Sequence, residues 1–69
     1  MTILTPVQSS NIAAIGYDAD TLTLSVQFNS SPRVYRYAKV PEDEYRALMT
    51  AGSIGRYFNQ NIKDQYDEV

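Results

Sequence analysis

Thr21-Leu22-Thr23-Leu24-Ser25-Val26-Gln27-Phe28 is the stretch whose reading decides the fold. Leu22, Leu24, Val26 and Phe28 alternate with Thr21, Thr23, Ser25 and Gln27. Successive side chains on a strand point to opposite faces, so a period of two puts four apolar groups on one side and four polar groups on the other. The stretch therefore predicts a strand with one face against a core. Turn signals bound it on both sides. Asp18-Ala19-Asp20 precedes it, where short carboxylates can bond nearby backbone N–H groups. Asn29-Ser30-Ser31-Pro32 follows it. Beyond the first turn, residues 9–17 carry Ile12, Ala13, Ala14, Ile15 and Tyr17 on both alternating faces, which suits a strand covered on both sides. Beyond the second turn, residues 34–40 read as a further strand. Three strands in close succession imply an antiparallel meander. Residues 1–8 read as a short lead-in, ordered in part through Ile3, Leu4 and Val7.

Pro41 switches the pattern. Proline is favoured at the first helical position, where its missing N–H has no helical partner. Glu42, Asp43 and Glu44 follow, and carboxylates there favour the positive end of a helix dipole. Tyr45, Leu48 and Met49 share a helical face, and Gly52 marks the end. Ser53 is placed to cap a second helix whose apolar stripe is Ile54, Tyr57, Phe58 and Ile62. The expected fold is α+β, a three-stranded antiparallel meander followed by two short helices (β-β-β-α-α), in one domain over residues 1–69 with its core about 7–66.

Composition narrows the function. A chain of 69 residues has a thin core, and without staples such a core rarely supplies more than about 3–5 kcal/mol of net stability. Neither cysteine nor histidine is present, so disulfides and zinc-type metal sites are not expected. That absence also removes the usual general base and the most reactive nucleophile, so the chain reads as a binder and not an enzyme, with no cofactor. The net charge of −2 argues against a strong non-specific nucleic-acid binder. All six basic residues nevertheless fall between Arg33 and Lys63, leaving room for a local basic surface. Residues 1–11 lack the basic and apolar regions of a signal peptide, and no stretch has the length of a membrane span. A cytoplasmic protein with no membrane partner is the expectation.

Two stretches carry candidate binding residues. In the first, Arg33, Tyr35, Tyr37 and Lys39 share one strand face, with Arg36 between them. Alternating cations and aromatics can stack bases and hold phosphates, whereas tyrosines can equally fill a core. Hairpin register decides: pairing Phe28 with Val34 turns Tyr35 and Tyr37 away from the apolar face, and a slip of one residue buries them. The second comprises Ser53, Gly55, Arg56, Tyr57, Asn59 and Lys63. Gly55 permits close backbone approach, either of a ligand or of the neighbouring helix, and a helix N-terminus beside Arg56 suits an anion.

At these residues the sequence resembles the KTSC domain, found at the C-terminus of some lysyl-tRNA synthetases and as stand-alone bacterial and phage proteins. The resemblance is carried by Ser9-Ser10-Asn11-Ile12, Ile15-Gly16-Tyr17-Asp18, the alternating residues 22–28, Tyr35-Arg36-Tyr37, Val40-Pro41, Gly55-Arg56-Tyr57-Phe58-Asn59, Ile62 and Tyr66. It implies a small non-catalytic domain, with RNA binding suggested by the synthetase association. Three binding modes follow as expectations. One is a protein-interaction module, self-associating into a homo-oligomer or docking on another protein through an apolar patch at Tyr57, Phe58 and Tyr66. The second is weak RNA or single-strand binding through Arg33, Tyr35, Tyr37 and Lys39, joined by Arg56 and Lys63. The third is capture of a small anion such as a nucleotide near Ser53 to Tyr57.

Overall fold

The computed structural model describes residues 4–69, so Ile3 of the expected lead-in lies outside it. In chain order the elements are β1 (Thr5–Pro6), β2 (Ile12–Asp18), β3 (Thr23–Phe28), β4 (Val34–Tyr37), α1 (Glu42–Thr50) and α2 (Ile54–Asn61). The sheet order is β1-β2-β3-β4, and each neighbouring pair is antiparallel. The α+β class and the helices match the sequence reading, but the sheet has four strands and not three. The added strand is two exposed residues of the lead-in, too short to show a period. Pro6 suits an edge, where its missing N–H costs no ladder bond.

Two residues trim the expected strands. Leu22 has φ 56°, so β3 begins at Thr23 and Leu22 lies exposed instead of in the apolar face. Lys39 has φ 59°, so β4 ends at Tyr37 and does not reach Val40. The backbones of these two bends meet, because the Val40 N–H donates to the Leu22 carbonyl at 2.8 Å. A left-handed backbone costs a residue with a side chain roughly 1–2 kcal/mol, a cost the surrounding fold must offset at both positions.

Register settles the tyrosine question. Leu24 faces Tyr37, Val26 faces Tyr35 and Gln27 faces Val34. This is one residue away from the pairing of Phe28 with Val34, and it puts both tyrosines on the apolar face. In β2 the pairing shifts between Ile12 and Ala14, so that Ile12 faces Phe28 while Ile15 faces Val26. The irregularity lets Ile12 and Ile15, three residues apart, share one face, which is what a bulge does to side-chain alternation. The residues on the opposite face are buried too, in keeping with the expected cover on both sides of β2. The other face carries the small Ala14, Gly16 and Ser25.

The core lies between the packed face and the helices. Ile12, Ile15, Leu24, Val26 and Tyr37 come from the sheet, Val40 from the connection, and Leu48, Phe58 and Ile62 from the helical half. Pro41 sits at the N-cap of α1, one residue before the expected position, and its carbonyl accepts the first helical N–H bonds from Glu44 and Tyr45. Phe58 meets Phe28 and Tyr37 edge-on, each with ring centroids 5.5 Å apart. Tyr17 and Tyr45 stack at 4.8 Å, placing α1 against the turn end of the β2–β3 hairpin.

Candidate functional site

The Ser9 hydroxyl oxygen accepts the backbone N–H of both Asn11 and Ile12 at 3.3 Å, closing a tight turn into β2. At the far end of β3, Asn29 ties itself to this turn twice. Its backbone N–H donates to the Asn11 carbonyl at 2.9 Å, and its side-chain Nδ2 donates to the Ser9 carbonyl at 3.0 Å. The turn after β3 is held in its own right, with Gln27 Nε2 donating to the Pro32 carbonyl and the Arg33 N–H to the Ser31 hydroxyl. Two loops of small polar residues are thus cross-tied at one end of the sheet.

α2 closes the third side. Gly55 is buried, and a Cβ placed on it would lie 3.3 Å from Asn11 Nδ2 and 3.4 Å from Ser9 Oγ. The helix comes this close because glycine has no side chain. Asn59, four residues on, shares the face of Gly55. Between these three walls is a cleft of about 360 Å³. Phe28, half-buried, gives it an apolar floor, with the fully buried Ile12 beneath. Ser10 and Asn11 stand on one wall, Asn29 and Ser30 on the second, Gly55 and Asn59 on the third. None of these lining residues carries a charge.

The sequence candidates divide sharply. On the strand, Tyr37 is 6% exposed and belongs to the core. Tyr35 is half-buried, edge-on to Phe28 at 5.4 Å. Arg33 lies over the Tyr35 ring at 4.8 Å and pairs with Glu68 at 3.7 Å. Arg36 and Lys39 are exposed, Arg36 on the face opposite the tyrosines. Of the two alternatives the sequence leaves open for these tyrosines, Tyr37 takes the core one, and Tyr35 is half-buried against the same core. Burial pushes the Tyr37 hydroxyl above its usual range, helped by the negative charge of Glu68.

Among the helical candidates, Gly55 and Asn59 line the cleft. Arg56 is one residue past Gly55, about 100° further round a helix of 3.6 residues per turn, so it does not share the Gly55–Asn59 face. Ser53 occupies the N-cap of α2 with no side-chain cap bond, and Lys63 is exposed beyond the helix. Tyr57 is spent elsewhere. Its hydroxyl and that of Tyr66 both donate to the Glu44 carboxylate, one to each oxygen. The bond to Glu44, with burial added, pushes the Tyr57 hydroxyl up to about 12; burial and then the same carboxylate raise Tyr66. Of the expected apolar patch at Tyr57, Phe58 and Tyr66, Phe58 is only 1% exposed and belongs to the core, while the two tyrosines stay partly exposed with their hydroxyls tied to α1. Arg46 donates to Glu42 across one helical turn, so two of the three acids of α1, Glu42 and Glu44, serve more than the dipole.

Ser10, Asn11, Phe28, Asn29 and Ser30 were missed as site residues. The signals were visible but had been assigned elsewhere: Ser9-Ser10-Asn11-Ile12 as a motif of the resemblance, Asn29-Ser30 as a turn. Nothing in either stretch announces that the two meet.

Among the described residues, no group of three metal-ligating side chains converges, and no helix is long and apolar enough to cross a membrane. The fold and cleft define a small α+β domain with a preformed, uncharged surface recess. The matched sequence pattern and the solved relatives make this assignment specific. The KTSC domain profile matches residues 8–66, and the chain belongs to that family. A crystal structure of a KTSC domain protein from Yersinia pestis superposes with a TM-score of 0.94 at 38% identity, covering 100% of this chain and 96% of that one. An uncharacterised protein of Stutzerimonas stutzeri is 45% identical over 60 residues, 87% of this chain and 83% of its own length. A lysine–tRNA ligase of Nostoc is 39% identical over 59 residues, which are 86% of this chain and 10% of the ligase.

Proposed function

We propose that the chain is a non-catalytic, cytoplasmic protein-interaction domain that docks a short segment of a partner protein in the cleft. One apolar side chain of the partner rests on the half-buried Phe28, and its main-chain amides meet Asn11, Asn29 and Asn59. The observation that carries this reading is the cleft's construction: uncharged groups, held by cross-ties between two loops, around an apolar floor. Groups fixed in advance lose little freedom on binding. Amide side chains both donate and accept, which matches a peptide main chain. Phosphate ligands call for cations at the site, and the lining offers none. A second copy of the chain is one partner that fits these terms, so self-association belongs to the same reading.

RNA contact is the second reading, drawn from the lysine–tRNA ligase relatives and the exposed Arg36, Lys39, Arg56 and Lys63. One comparison separates the two. Peptides selected from a displayed library on the intact chain are titrated into the 15N-labelled protein, alongside an oligouridylate and a tRNA transcript. The expected result is shifts at Asn11, Asn29 and Asn59 with peptide, lost at least tenfold in Asn59→Trp, which fills the cleft. Sedimentation velocity of both proteins reads self-association through the same face. Salt-sensitive binding of either RNA, with no peptide shifting the cleft, overturns the proposal.

A further inference from the structure

After Tyr66, residues 67–69 run antiparallel along the outer edge of β4. Glu68 faces Tyr37 in an isolated bridge. The Ala38 N–H donates to the Asp67 carbonyl at 2.9 Å, and the Val69 N–H donates to the Arg36 carbonyl at 2.8 Å. The tail thus pairs with the sheet edge at a single bridge, and it shows which groups that edge offers. Antiparallel pairing alternates, so Val34, like Arg36 and Ala38, turns its backbone N–H and C=O outward. The tail engages the last two of these three positions.

Little else holds it there. Asp67, Glu68 and Val69 are all exposed, Val69 at 70%. The last side chain anchored to the body is Tyr66, through Glu44. The one ion pair, Arg33 with Glu68, is open to solvent on both sides. A segment with so few buried contacts opens far more readily than the core. The exposed charges of the strand and its flank are all positive, namely Arg33, Arg36 and Lys39, while the tail brings Asp67 and Glu68.

We propose that the outer edge of β4 is a second docking site, for an extended acidic segment of a partner protein, and that residues 67–69 occupy it as a displaceable stand-in. Main-chain bonds to Val34, Arg36 and Ala38 supply the pairing, as in other strand-addition complexes, and the three cations select acidic side chains. The site is separate from the cleft and stands or falls without it.

The test uses the full 15N-labelled chain and a capped decapeptide in which valine alternates with aspartate and glutamate. The peptide is expected to shift the amides of Val34, Arg36 and Ala38 and to move the Asp67 and Glu68 signals to random-coil positions, leaving Asn11 and Asn59 unmoved. Val69→Pro removes the N–H that bonds Arg36, weakens the tail as competitor, and is expected to tighten peptide binding at least threefold. Arg36→Glu is exposed and keeps the fold, and it is expected to weaken binding at least tenfold. A lysine-substituted peptide is expected not to bind. Failure of the acidic peptide to move the tail in both wild type and Val69→Pro overturns the proposal. So does equal binding of the lysine peptide, or displacement of the tail by an oligouridylate in place of the peptide.

Discussion

β4 and the cleft use their residues in opposite ways. β4 and the residue before it carry the side chains that look most like binding chemistry, two tyrosines on either side of Arg36 with Arg33 just ahead, and the fold uses all but Arg36. Tyr37 is in the core, Tyr35 packs on Phe28, and Arg33 is divided between the Tyr35 ring and Glu68. The cleft is walled by serines, asparagines and one glycine, ordinary turn residues, and leaves them facing a recess. Large amphipathic rings are what a thin core most needs, because each buries more apolar area than any other side chain. Small polar residues bury little, so they stay at the surface, where cross-ties hold them still.

The sharpest way to break this contrast is Tyr37→Ala. Truncating a large buried side chain costs about 3–5 kcal/mol, comparable with the whole net stability of a core this small. The variant is expected to be largely unfolded by circular dichroism in water. Tyr35→Ala, at a half-buried ring, is expected to stay folded with a lower urea midpoint. A folded Tyr37→Ala that had lost RNA binding would return the strand to the list of contact surfaces.

Glu44→Gln comes next. It replaces the carboxylate that Tyr57 and Tyr66 share, and bonds to charged groups of this kind contribute about 1.5–3 kcal/mol each when well shielded. Both rings are partly exposed, so a total loss of about 1–3 kcal/mol by urea denaturation is expected. The pH dependence carries the sharper signature. The Tyr57 hydroxyl, at about 12 in the folded chain, stands above its reference value of 10.0. The unfolded chain therefore releases that proton first, and the stability it supplies is intact below about pH 10 and drains as pH rises towards 12. In Glu44→Gln the hydroxyl titrates closer to its ordinary range, which ultraviolet absorbance of tyrosinate follows, and the alkaline fall in stability becomes shallower.

How much of this was legible depended on range. Residues 23–28, α1 and α2 follow from local periods of two and 3.6, and composition removed histidine and cysteine chemistry at once. The ends of β3 and β4 were not legible, because the left-handed backbones at Leu22 and Lys39 occur at residue types with no preference for them. Register was posed correctly as a choice but needed the β3–β4 pairing to decide it. β1 was hidden by its length of two residues. The cleft was half legible. Gly55 and Asn59 stood out on α2, whereas Ser10, Asn11, Asn29 and Ser30 acquire a shared meaning only when β2 and β3 pair and bring distant turns together.

Gly55→Ala probes the cleft with a smaller effect. The added methyl pushes on the Asn11 side chain at 3.3 Å, and that side chain is exposed and free to move by a few tenths of an ångström. Alanine also favours helical backbone over glycine by roughly 0.5–1 kcal/mol, which offsets the crowding. Stability is expected within about 1 kcal/mol of wild type while the Asn11 amide signal shifts and peptide affinity falls. A loss well beyond that would mean the three walls form a packed junction, and the contrast with β4 would collapse from the cleft side.

The smallest effect belongs to Glu68→Ala. Its partner Arg33 is 3.7 Å away, and the two side chains are 43% and 67% exposed. Exposed pairs of this kind contribute about 0.2–1 kcal/mol, and salt screens them. The expected loss is at the low end, below about 0.5 kcal/mol, and it should disappear in 1 M sodium chloride, where the screening length is only about 3 Å. Hydrogen exchange at Ala38 should quicken over the same comparison, because its N–H bonds the tail at Asp67. A loss above about 1 kcal/mol that persists in salt would exceed what an exposed pair supplies. The tail would then be a structural strand of the sheet, as fixed as Tyr37, and β4 would have no edge to offer a partner.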